Sequence, residues 1–499
     1  GSGGAAGSRS AKQQTPKRTE ASESLEASSK AIVVNKPTPL ESLQLGVIVV
    51  PTDDQEAAEA AQQQQQDQEL APHVQHNMHW SSARTVVRQI ACGARHSAAV
   101  TMDGRLFMWG SNDHGQLGDG MSKVQQKTLL PTECRNRAEL LRSFVAQVAC
   151  GEDYTIVLND GACVFSFGRA SEKQLGVARA EAYHDEPIPV ILLGGLDIVA
   201  LEAGETHAAA LTRDGALWTW GSIRHGKLGR AKTAGGASAV EGDELESGDL
   251  PARVLGALAT EHVAACSLGM EHSLVLTAEG DVFAFGSGWY GRLGTGETYN
   301  EPTPVRVGGV LRGRHCTSIS AGAYHSLAVA EGALYVWGRN EHRLGVGPTP
   351  SLLVTPTRNE ALYSIGVDVV VAAAGESHSI AIGNSGAVYS WGSGADCKLG
   401  HTNRAWNTRG GDRGTQAAQN EAQTDVDMPS RVCVSQRNGG GGAMPRPLAL
   451  SIVVGAGRFS ADRHVATPAT ISAAVATYRN HCLALSSDGS IYAWGGAGS

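Results

Sequence analysis

Apolar and polar positions alternate with a period of two, in short runs, along most of this chain. Runs such as HSAAV from His96 and ALYVW from Ala333 are four to six residues long, and Gly, Asp or Pro bounds them. This alternation is typical of β-strands that bury one face and are joined by tight turns. No segment within the repeated pattern indicates a helix of globular length. The sequence therefore predicts an all-β protein.

The strand-like runs belong to one phrase that recurs seven times. The first copy, IACGARHSAAVTMDGRLFMWGSNDHGQLG, begins at Ile90, and later copies keep most of its GxxH, WG and QLG signatures. The anchor residue of GxxH marks the copies at His96, Tyr154, His207, His272, His325, His378 and His481, and three of the intervals are 53 residues. Each copy holds about four strands, so the repeat predicts a seven-bladed β-propeller of four-stranded blades.

The seventh copy lacks the strand that would complete its blade. Six segments that begin with Pro and an apolar residue, such as PIPVILL from Pro187, separate the seven copies and would supply outer strands. We expect segment 37–50, with PTPL from Pro37 and LGVIVVP from Leu45, to pair with the last blade and close the ring. The alternative is that the chain is a fragment whose missing strand lies beyond Ser499.

The regions around the repeats differ from them in composition. Residues 1–36 are rich in Ser, Ala, Lys and Glu, and residues 51–85 contain the glutamine run Gln62–Gln66, which predicts a disordered tail and a polar linker. The propeller is expected over 86–499, with a low-complexity insertion without strands at about 403–474. A shorter insertion, Arg230–Gly248, is acidic and is predicted to be a mobile loop.

Asp-Gly pairs lie between the predicted second and third strands of several copies. They occur at Asp103–Gly104, Asp160–Gly161, Asp214–Gly215 and Asp488–Gly489. Because a two-residue hairpin turn requires positive φ, we expect the glycine of each pair to adopt it.

Composition narrows the classes of function. The net charge of −8 argues against nucleic acid as the partner, because nucleic-acid binding depends on Lys and Arg neutralising phosphates. No apolar run is long enough for a membrane-spanning helix. The nine cysteines are scattered without a CxxC pair, which indicates a reducing compartment, cytoplasm or nucleus, and neither a disulfide framework nor a metal site. Since the chain begins with Gly, a targeting peptide could lie upstream.

The repeated phrase resembles the repeat of the regulator of chromosome condensation family over roughly residues 86–499. That family folds as a seven-bladed propeller, and it includes an exchange factor for the GTPase Ran, a plant ultraviolet-B photoreceptor and ubiquitin-ligase scaffolds. The resemblance therefore does not decide function. The hypothesis that this chain is such a photoreceptor requires Trp at the first variable position of GxxH, and no copy has Trp there. Nor does any segment match the β-wedge with which the exchange factor expels nucleotide.

The anchor histidines and the recurring tryptophans are predicted to be structural. A catalytic residue is needed once, whereas these residues occur in almost every repeat. We expect the histidines to form hydrogen bonds within and between blades, and the tryptophans to pack.

Function is expected at the two residues that vary between Gly and His of GxxH. Equivalent loops of a propeller emerge at the same end, so these side chains should share one mostly negative rim, suited to a basic partner surface. In the Ran exchange factor this face meets the GTPase, which makes the rim residues candidates. The alternative is ordinary solvated loop charge without a partner. The candidate partner-binding residues are Arg95, Glu152, Asp153, Glu205, Glu271, Tyr324, Glu376 and Arg479.

The sequence thus favours a non-enzymatic scaffold that binds a small GTPase or another basic protein surface, alone or within a larger assembly. The alternative is a guanine nucleotide exchange factor for a Ran-like GTPase, which would bind the nucleotide-free state more tightly. No catalytic residue, cofactor or metal is expected. The glycine run Gly439–Gly442 lacks the GK[ST] ending of a phosphate loop, and no nucleophile–base pair stands out from the repeat.

Overall fold

The computed structural model describes twelve segments of the chain, which between them hold seven four-stranded antiparallel sheets and one two-stranded sheet. The described residues are 33–39, 86–122, 127–134, 144–178, 181–230, 250–395, 398–401, 425–435, 445–447, 474–479, 481–485 and 491–496.

Each of the first six blades is built from four consecutive strands, with neighbours in sequence paired in space. Strand β1 (Val33–Pro39) precedes them. Blade 1 contains β2 (Val87–Cys92), β3 (His96–Thr101), β4 (Leu106–Ser111) and β5 (Lys127–Glu133). Blade 2 contains β6 (Val145–Cys150), β7 (Tyr154–Asn159), β8 (Val164–Arg169) and β9 (Tyr183–Pro189). Blade 3 contains β10 (Ile198–Ala203), β11 (His207–Thr212), β12 (Leu217–Gly221) and β13 (Ala252–Arg253).

The second half of the ring repeats this plan. Blade 4 contains β14 (Val263–Leu268), β15 (His272–Thr277), β16 (Val282–Gly286) and β17 (Glu301–Arg306). Blade 5 contains β18 (Cys316–Ala321), β19 (His325–Ala330), β20 (Ala333–Arg339) and β21 (Leu352–Arg358). Blade 6 contains β22 (Val369–Ala374), β23 (His378–Gly383), β24 (Val388–Gly392) and β25 (Val426–Arg431).

Helical structure among the described residues is confined to short turns. One α-helical turn covers Glu360–Ser364, and its N-cap residue Asn359 accepts a hydrogen bond from the Leu362 amide. The remaining helical segments are single 3₁₀ turns at Ile191–Leu193, Arg224–Gly226, Gly256–Leu258, Trp289–Gly291 and Gly309–Leu311.

The last blade is completed by the first strand of the chain. Blade 7 combines β28 (Ala474–Thr477), β29 (His481–Leu485) and β30 (Ile491–Gly496) with β1, which pairs antiparallel with β30. An N-terminal strand therefore closes the ring, as the sequence predicts. The strand is Val33–Pro39 and shares only its last three residues with the predicted segment 37–50; residues 40–50 lie outside the described residues. Its register shifts between Val34 and Thr38, around a proline that cannot donate to the ladder.

The expectation that the insertion at about 403–474 lacks strands is wrong. Strand β25 is the outer strand of blade 6, and β26 (Cys433–Ser435) pairs with β27 (Pro445–Pro447). An outer strand of this propeller buries little side-chain surface, so VDMPSR needs no apolar alternation and carries no clear strand signal.

The hydrophobic core lies between neighbouring blades. Ile156 of blade 2 packs in one cluster with Trp220 of blade 3. Across the closure, Val87 of blade 1 packs in one cluster with Leu483 of blade 7. Each blade therefore buries both of its faces against neighbours, and the closed ring leaves no terminal face to cover.

Two glycine positions carry the turns on which the blades depend. The glycine after the conserved aromatic position has φ between +106° and +115° in all seven blades, and a Cβ on Gly338 would lie 2.6 Å from Cα of His325. In the Asp-Gly turns, Gly104 and Gly215 have positive φ as expected. In blade 2 the expectation is wrong: Ala162 takes the positive φ of 60°, because Asp160–Gly161 follows its strand one residue earlier.

Candidate functional site

Two sets of loops emerge at the same end of the propeller. The strands of each blade are consecutive and antiparallel, so the GxxH loop after the first strand and the loop after the third strand lie on one side. We call this end the loop face. All eight sequence-predicted partner residues belong to it, since each lies in a GxxH loop or at the equivalent positions of blade 7.

The anchor histidines beneath this face connect each blade to the next. Nε2 of the ring lies 2.8–3.0 Å from a hydroxyl or thiol of the following blade, in the pairs His96–Thr155, His207–Ser273, His272–Ser326, His325–Ser379, His378–Cys482 and His481–Ser97. The hydroxyl group donates onward, as Ser326 does to the carbonyl of Arg292 at 2.7 Å. Its proton is thus committed, and Nε2–H of the histidine must donate to the hydroxyl oxygen.

These histidines are neutral structural groups. Burial lowers the pKa of His325 to about 3 and the pKa of His96 and His481 to about 4. The Nδ1 atoms of five of them, including His325, are buried without a hydrogen-bond partner, so a second proton would have no acceptor. The prediction that the anchor histidines bond between blades is confirmed.

Arg479 gathers three carboxylates from other blades at the mouth of the central channel. Its Nη2 atom contacts Glu152 Oε1 and lies 3.2 Å from Glu205 Oε1, and its Nε lies 3.6 Å from Glu376 Oε2. Burial, together with the neighbouring Glu152 carboxylate, raises the pKa of Glu205 to about 7. Blade 7 thereby ties blades 2, 3 and 6 into one charged cluster.

Asp153 forms a second cluster between blades 1 and 2. The carboxylate is buried and lies 3.4 Å from Nη2 of Arg95 and 3.8 Å from Nη1 of Arg169. Arg95 also pairs with the more exposed Asp113 at 3.1 Å. Asp153 therefore orients arginines rather than facing solvent itself.

Glu271 is paired with a lysine that the sequence analysis did not single out. Nζ of Lys227 is fully buried and donates to Glu271 Oε2 and to Thr206 Oγ1, both at 2.8 Å. Lys227 occupies the position of Gln in the QLG signature.

Three further blades also carry a buried cation where blades 1 and 2 have Gln116 and Gln174. The cations at this position are Lys227, Arg292, Arg343 and Lys398. These buried cations partly neutralise the rim from below, so the ring is less negative than the sequence predicts. The change from QLG to KLG or RLG is visible in the sequence and is the signal that would have found these residues.

Tyr324 lies among arginines instead of acids. Its ring meets the Tyr290 ring edge to face, with centroids 5.8 Å apart. Cζ of Arg292 lies 5.1 Å from the Tyr324 centroid and Cζ of Arg343 lies 5.5 Å from it, while Cζ of Arg339 lies 4.7 Å from the Tyr290 centroid. We call these five residues, all from blades 4 and 5, the arginine–tyrosine cluster.

The loop face is thus divided into two halves of different charge. On blades 1–3 and around Arg479, five carboxylates pair with three arginines: Asp113, Glu152, Asp153, Glu205 and Glu376 with Arg95, Arg169 and Arg479. We call this set the acidic half. On blades 4 and 5 the arginine–tyrosine cluster contains three guanidinium groups, and Glu341 pairs with two of them.

A central cavity of about 330 Å³ lies below the rim. The first strands of all seven blades line it, and the side-chain amide of Gln89 bridges β2 to Val148 of β6 in both directions at 3.0 Å. Burial raises the pKa of Glu202 in this wall to about 7. No nucleophile and base are brought together among the residues that line it.

Within the segments given above, no group of three or more His, Cys, Asp or Glu side chains is arranged to hold a metal ion. No helix in those segments is long and apolar enough to cross a membrane. Cys163 is exposed, whereas Cys92, Cys134, Cys150, Cys266, Cys316 and Cys482 are buried.

Comparison with known proteins adds sequence and fold relationships. A family model described as an RCC1-like domain matches residues 42–424. Protein pim1 of Schizosaccharomyces pombe is 28% identical over 64% of this chain and 61% of its own length, and human E3 ubiquitin-protein ligase HERC2 is 31% identical over 62% of this chain but only 6% of its own length. The crystal structure of Prp20p from Saccharomyces cerevisiae superposes with a TM-score of 0.57 and 20% identity, covering 83% of each chain.

Proposed function

Because the chain belongs to the RCC1-like domain family, whose model matches most of its length, we propose that it is a non-enzymatic propeller that regulates another protein by binding it through the loop face. The partner surface is basic, and a Ran-like small GTPase is the specific candidate. One observation carries this proposal: Arg479 brings carboxylates of three other blades around a single guanidinium group, so that blades 2, 3, 6 and 7 present one connected charged cluster.

The electrostatics of the acidic half support a basic partner. Five carboxylates against three arginines leave an excess of negative charge, and complementary surfaces steer association and select against wrong partners. The side chains of Asp113 and Glu376 are each 39% exposed, so a partner can reach them. Asp153 and Glu205 are buried and act by holding Arg95, Arg169 and Arg479 in place.

The solved relative gives the GTPase candidate its support. Prp20p was described together with its binding properties to Gsp1p and histones, and its fold matches most of this chain. At 20% identity this similarity extends to the fold alone, so the partner of the present chain is a matter for experiment.

Binding to Ran tests the proposal directly. We expect Ran to bind the wild-type protein, and the double variant Asp113→Lys/Glu376→Lys to bind at least about tenfold more weakly, with weaker salt dependence. The matched control is Glu360→Lys, which reverses an exposed carboxylate that pairs with Arg358 away from the loop face. Equal affinity of the double variant and the control would refute a role for the acidic half.

Nucleotide exchange on Ran is the second candidate function, and the same proteins distinguish it. A platform holds Ran without altering its nucleotide, whereas an exchange factor in catalytic amounts accelerates release of fluorescent GDP. Acceleration that disappears in Asp113→Lys/Glu376→Lys and persists in Glu360→Lys would establish exchange through this face. Binding without acceleration would establish the platform.

A further inference from the structure

The arginine–tyrosine cluster is a second recognition surface that differs chemically from the acidic half. Three guanidinium groups lie within 5.5 Å of a tyrosine ring centroid, and two of them lie close to both rings. Glu341 accompanies only Arg339 and Arg343, so the cluster has more cations than carboxylates.

Arg292 has no carboxylate of its own among the described residues. Its guanidinium is buried and donates to two backbone carbonyls, those of Ala323 at 2.8 Å and Trp289 at 2.9 Å. No described Asp or Glu oxygen lies within 4.0 Å of it. A buried cation is normally paired, so an anion arriving above this site would supply what the fold lacks.

The aromatic side chains are held at the surface by an uncommon backbone conformation. Tyr290 has φ of 62° and ψ of 14°, a region that a bulky residue occupies at a cost. Its side chain and that of Trp289 remain exposed, and the Trp289 ring packs on His225 with centroids 5.4 Å apart. Exposed Trp and Tyr beside Arg have the composition of interface hot spots.

We propose that the arginine–tyrosine cluster binds an acidic peptide segment of a partner protein, with Arg339 pairing to its carboxylates above the buried charge of Arg292, and Tyr290 and Trp289 packing on its aliphatic stems. This inference rests on the proposed function, because it assumes that the loop face meets a protein. The partner then presents basic charge to blades 1–3 and an acidic segment to blades 4 and 5, so the divided face fixes the orientation of binding.

The charge around the cluster favours a peptide over a nucleic acid. Arginine and tyrosine side chains also stack on bases, and a single strand would use the same groups. A strand tracks its phosphates across a continuous basic groove, however, whereas this cluster adjoins an acidic half on a chain of net charge −8. A short acidic segment can satisfy the cluster without crossing that half.

Fluorescence anisotropy with a fluorescein-labelled hexaglutamate peptide tests the inference on the full chain. We expect the wild-type protein to bind hexaglutamate and to bind hexalysine more weakly at this site. Arg339→Glu should weaken hexaglutamate binding about tenfold or more, and Tyr290→Ala should weaken it several-fold. Arg339→Gln, which removes the positive charge but keeps an N–H donor, serves if the charge reversal impairs folding.

The chain provides matched controls for both changes. Arg314 also pairs with a glutamate and lies 5.9 Å from a tyrosine ring, but it precedes the first strand of blade 5 at the opposite end. Arg314→Glu should leave hexaglutamate binding unchanged. Tyr299 lies outside the cluster and is 72% exposed, so Tyr299→Ala is the control for Tyr290→Ala.

Three results would overturn the inference: no binding of hexaglutamate, equal loss in Arg339→Glu and Arg314→Glu, or tighter binding of oligothymidylate that depends on the same residues. The last result would assign the cluster to nucleic acid. Failure of the proposed function gives a different result: the affinity for Ran would be the same for Asp113→Lys/Glu376→Lys as for the control variant. That double variant should bind hexaglutamate as well as the wild type or better.

Discussion

Tyr154 and Ala208 together replace the histidine–hydroxyl hydrogen bond that connects other neighbouring blades. Tyr154 replaces the anchor histidine of blade 2, and its hydroxyl donates 2.6 Å to the backbone carbonyl of His207 in blade 3. The next residue, Ala208, is fully buried and occupies the position where other blades have a hydroxyl or thiol group. The longer side chain reaches the backbone directly, so a hydroxyl at residue 208 is not needed.

A double-mutant cycle tests this pairing. Tyr154→His would bury an imidazole donor against the Ala208 methyl group, so we expect a loss of about 1–3 kcal/mol in the free energy of unfolding. Adding Ala208→Ser supplies the acceptor found in the other blades, and the double variant should recover at least about 1 kcal/mol of that loss. Chemical denaturation of the four proteins measures the coupling. Strict additivity of the two changes would contradict it.

The turn of blade 2 offers a stabilising substitution. Ala162 has φ of 60°, where an L-residue is disfavoured, and it is partly exposed. Ala162→Gly should raise the free energy of unfolding by about 0.5–1 kcal/mol, because relief of the left-handed conformation exceeds the added entropy of the unfolded chain. Gly195→Ala is the reverse control, since Gly195 has φ of 83° and open space around its Cα. It should destabilise the protein by a similar amount.

Acid should destabilise the propeller once the pH falls below the unfolded histidine pKa of about 6.5. Six buried histidines have pKa values lowered from 6.5 by burial: His96, His207, His272, His325, His378 and His481. Above the unfolded pKa of 6.5 they cost nothing. As the pH falls below 6.5, these histidines bind protons in the unfolded chain but stay neutral in the folded chain, so the free energy of unfolding decreases.

Two glutamates act in the opposite direction over the same window. Burial raises the pKa of Glu202 and of Glu205 to about 7, so the folded state gains these two protons first as the pH falls. The net uptake on unfolding near pH 5.5 should therefore be about four protons, or roughly 5 kcal/mol per pH unit. Denaturation midpoints between pH 8 and pH 5 measure it. Glu202→Gln should steepen the loss by about one proton, and His325→Gln should reduce it by about one.

The carboxylates around Arg479 predict a variant whose loss of stability is larger at pH 8 than at pH 5.5. Arg479→Gln removes the cation that helps Glu205 to ionise, so its folded pKa should rise further above the unfolded value. The variant should then be about 1–2 kcal/mol less stable than the wild type at pH 8. The difference should shrink toward pH 5.5, where Glu205 is protonated in both proteins and only the pairing with Glu152 and Glu376 is lost. Arg314→Gln breaks an exposed pair with Glu331 and should cost less than about 1 kcal/mol at either pH.

Most of the fold could be predicted because each blade repeats the same requirements. The anchor residue, the aromatic residue and its glycine mark seven units in the sequence, and the glycine has the same positive φ in every blade. The outer strands were less predictable. Strand β25 buries little side-chain surface, and β1 depends on a neighbouring strand far away in the chain, so local pattern neither placed β1 fully nor gave the bounds of β25.

The candidate site was predictable by position but not by electrostatic balance. Variation in GxxH predicted the eight residues on one face, but this signal covers only the loop after the first strand of each blade and not the loop after the third strand. The second loop contributes Lys227 and Arg292, whose contacts with Glu271 and Tyr324 depend on how adjacent blades pack. Whether any of the eight contacts a partner stays a prediction.

The pairing of β1 with β30 also imposes an order on biosynthesis. The first strand leaves the ribosome before any blade exists, and its partner strand β30 is made only after the six intervening blades. Until then blades 1 and 7 cannot pack on each other, and β1 presents unpaired backbone groups that could join another chain. Translation speed and chaperone occupancy between the synthesis of β1 and that of β30 should thus govern how much of this protein reaches its closed form.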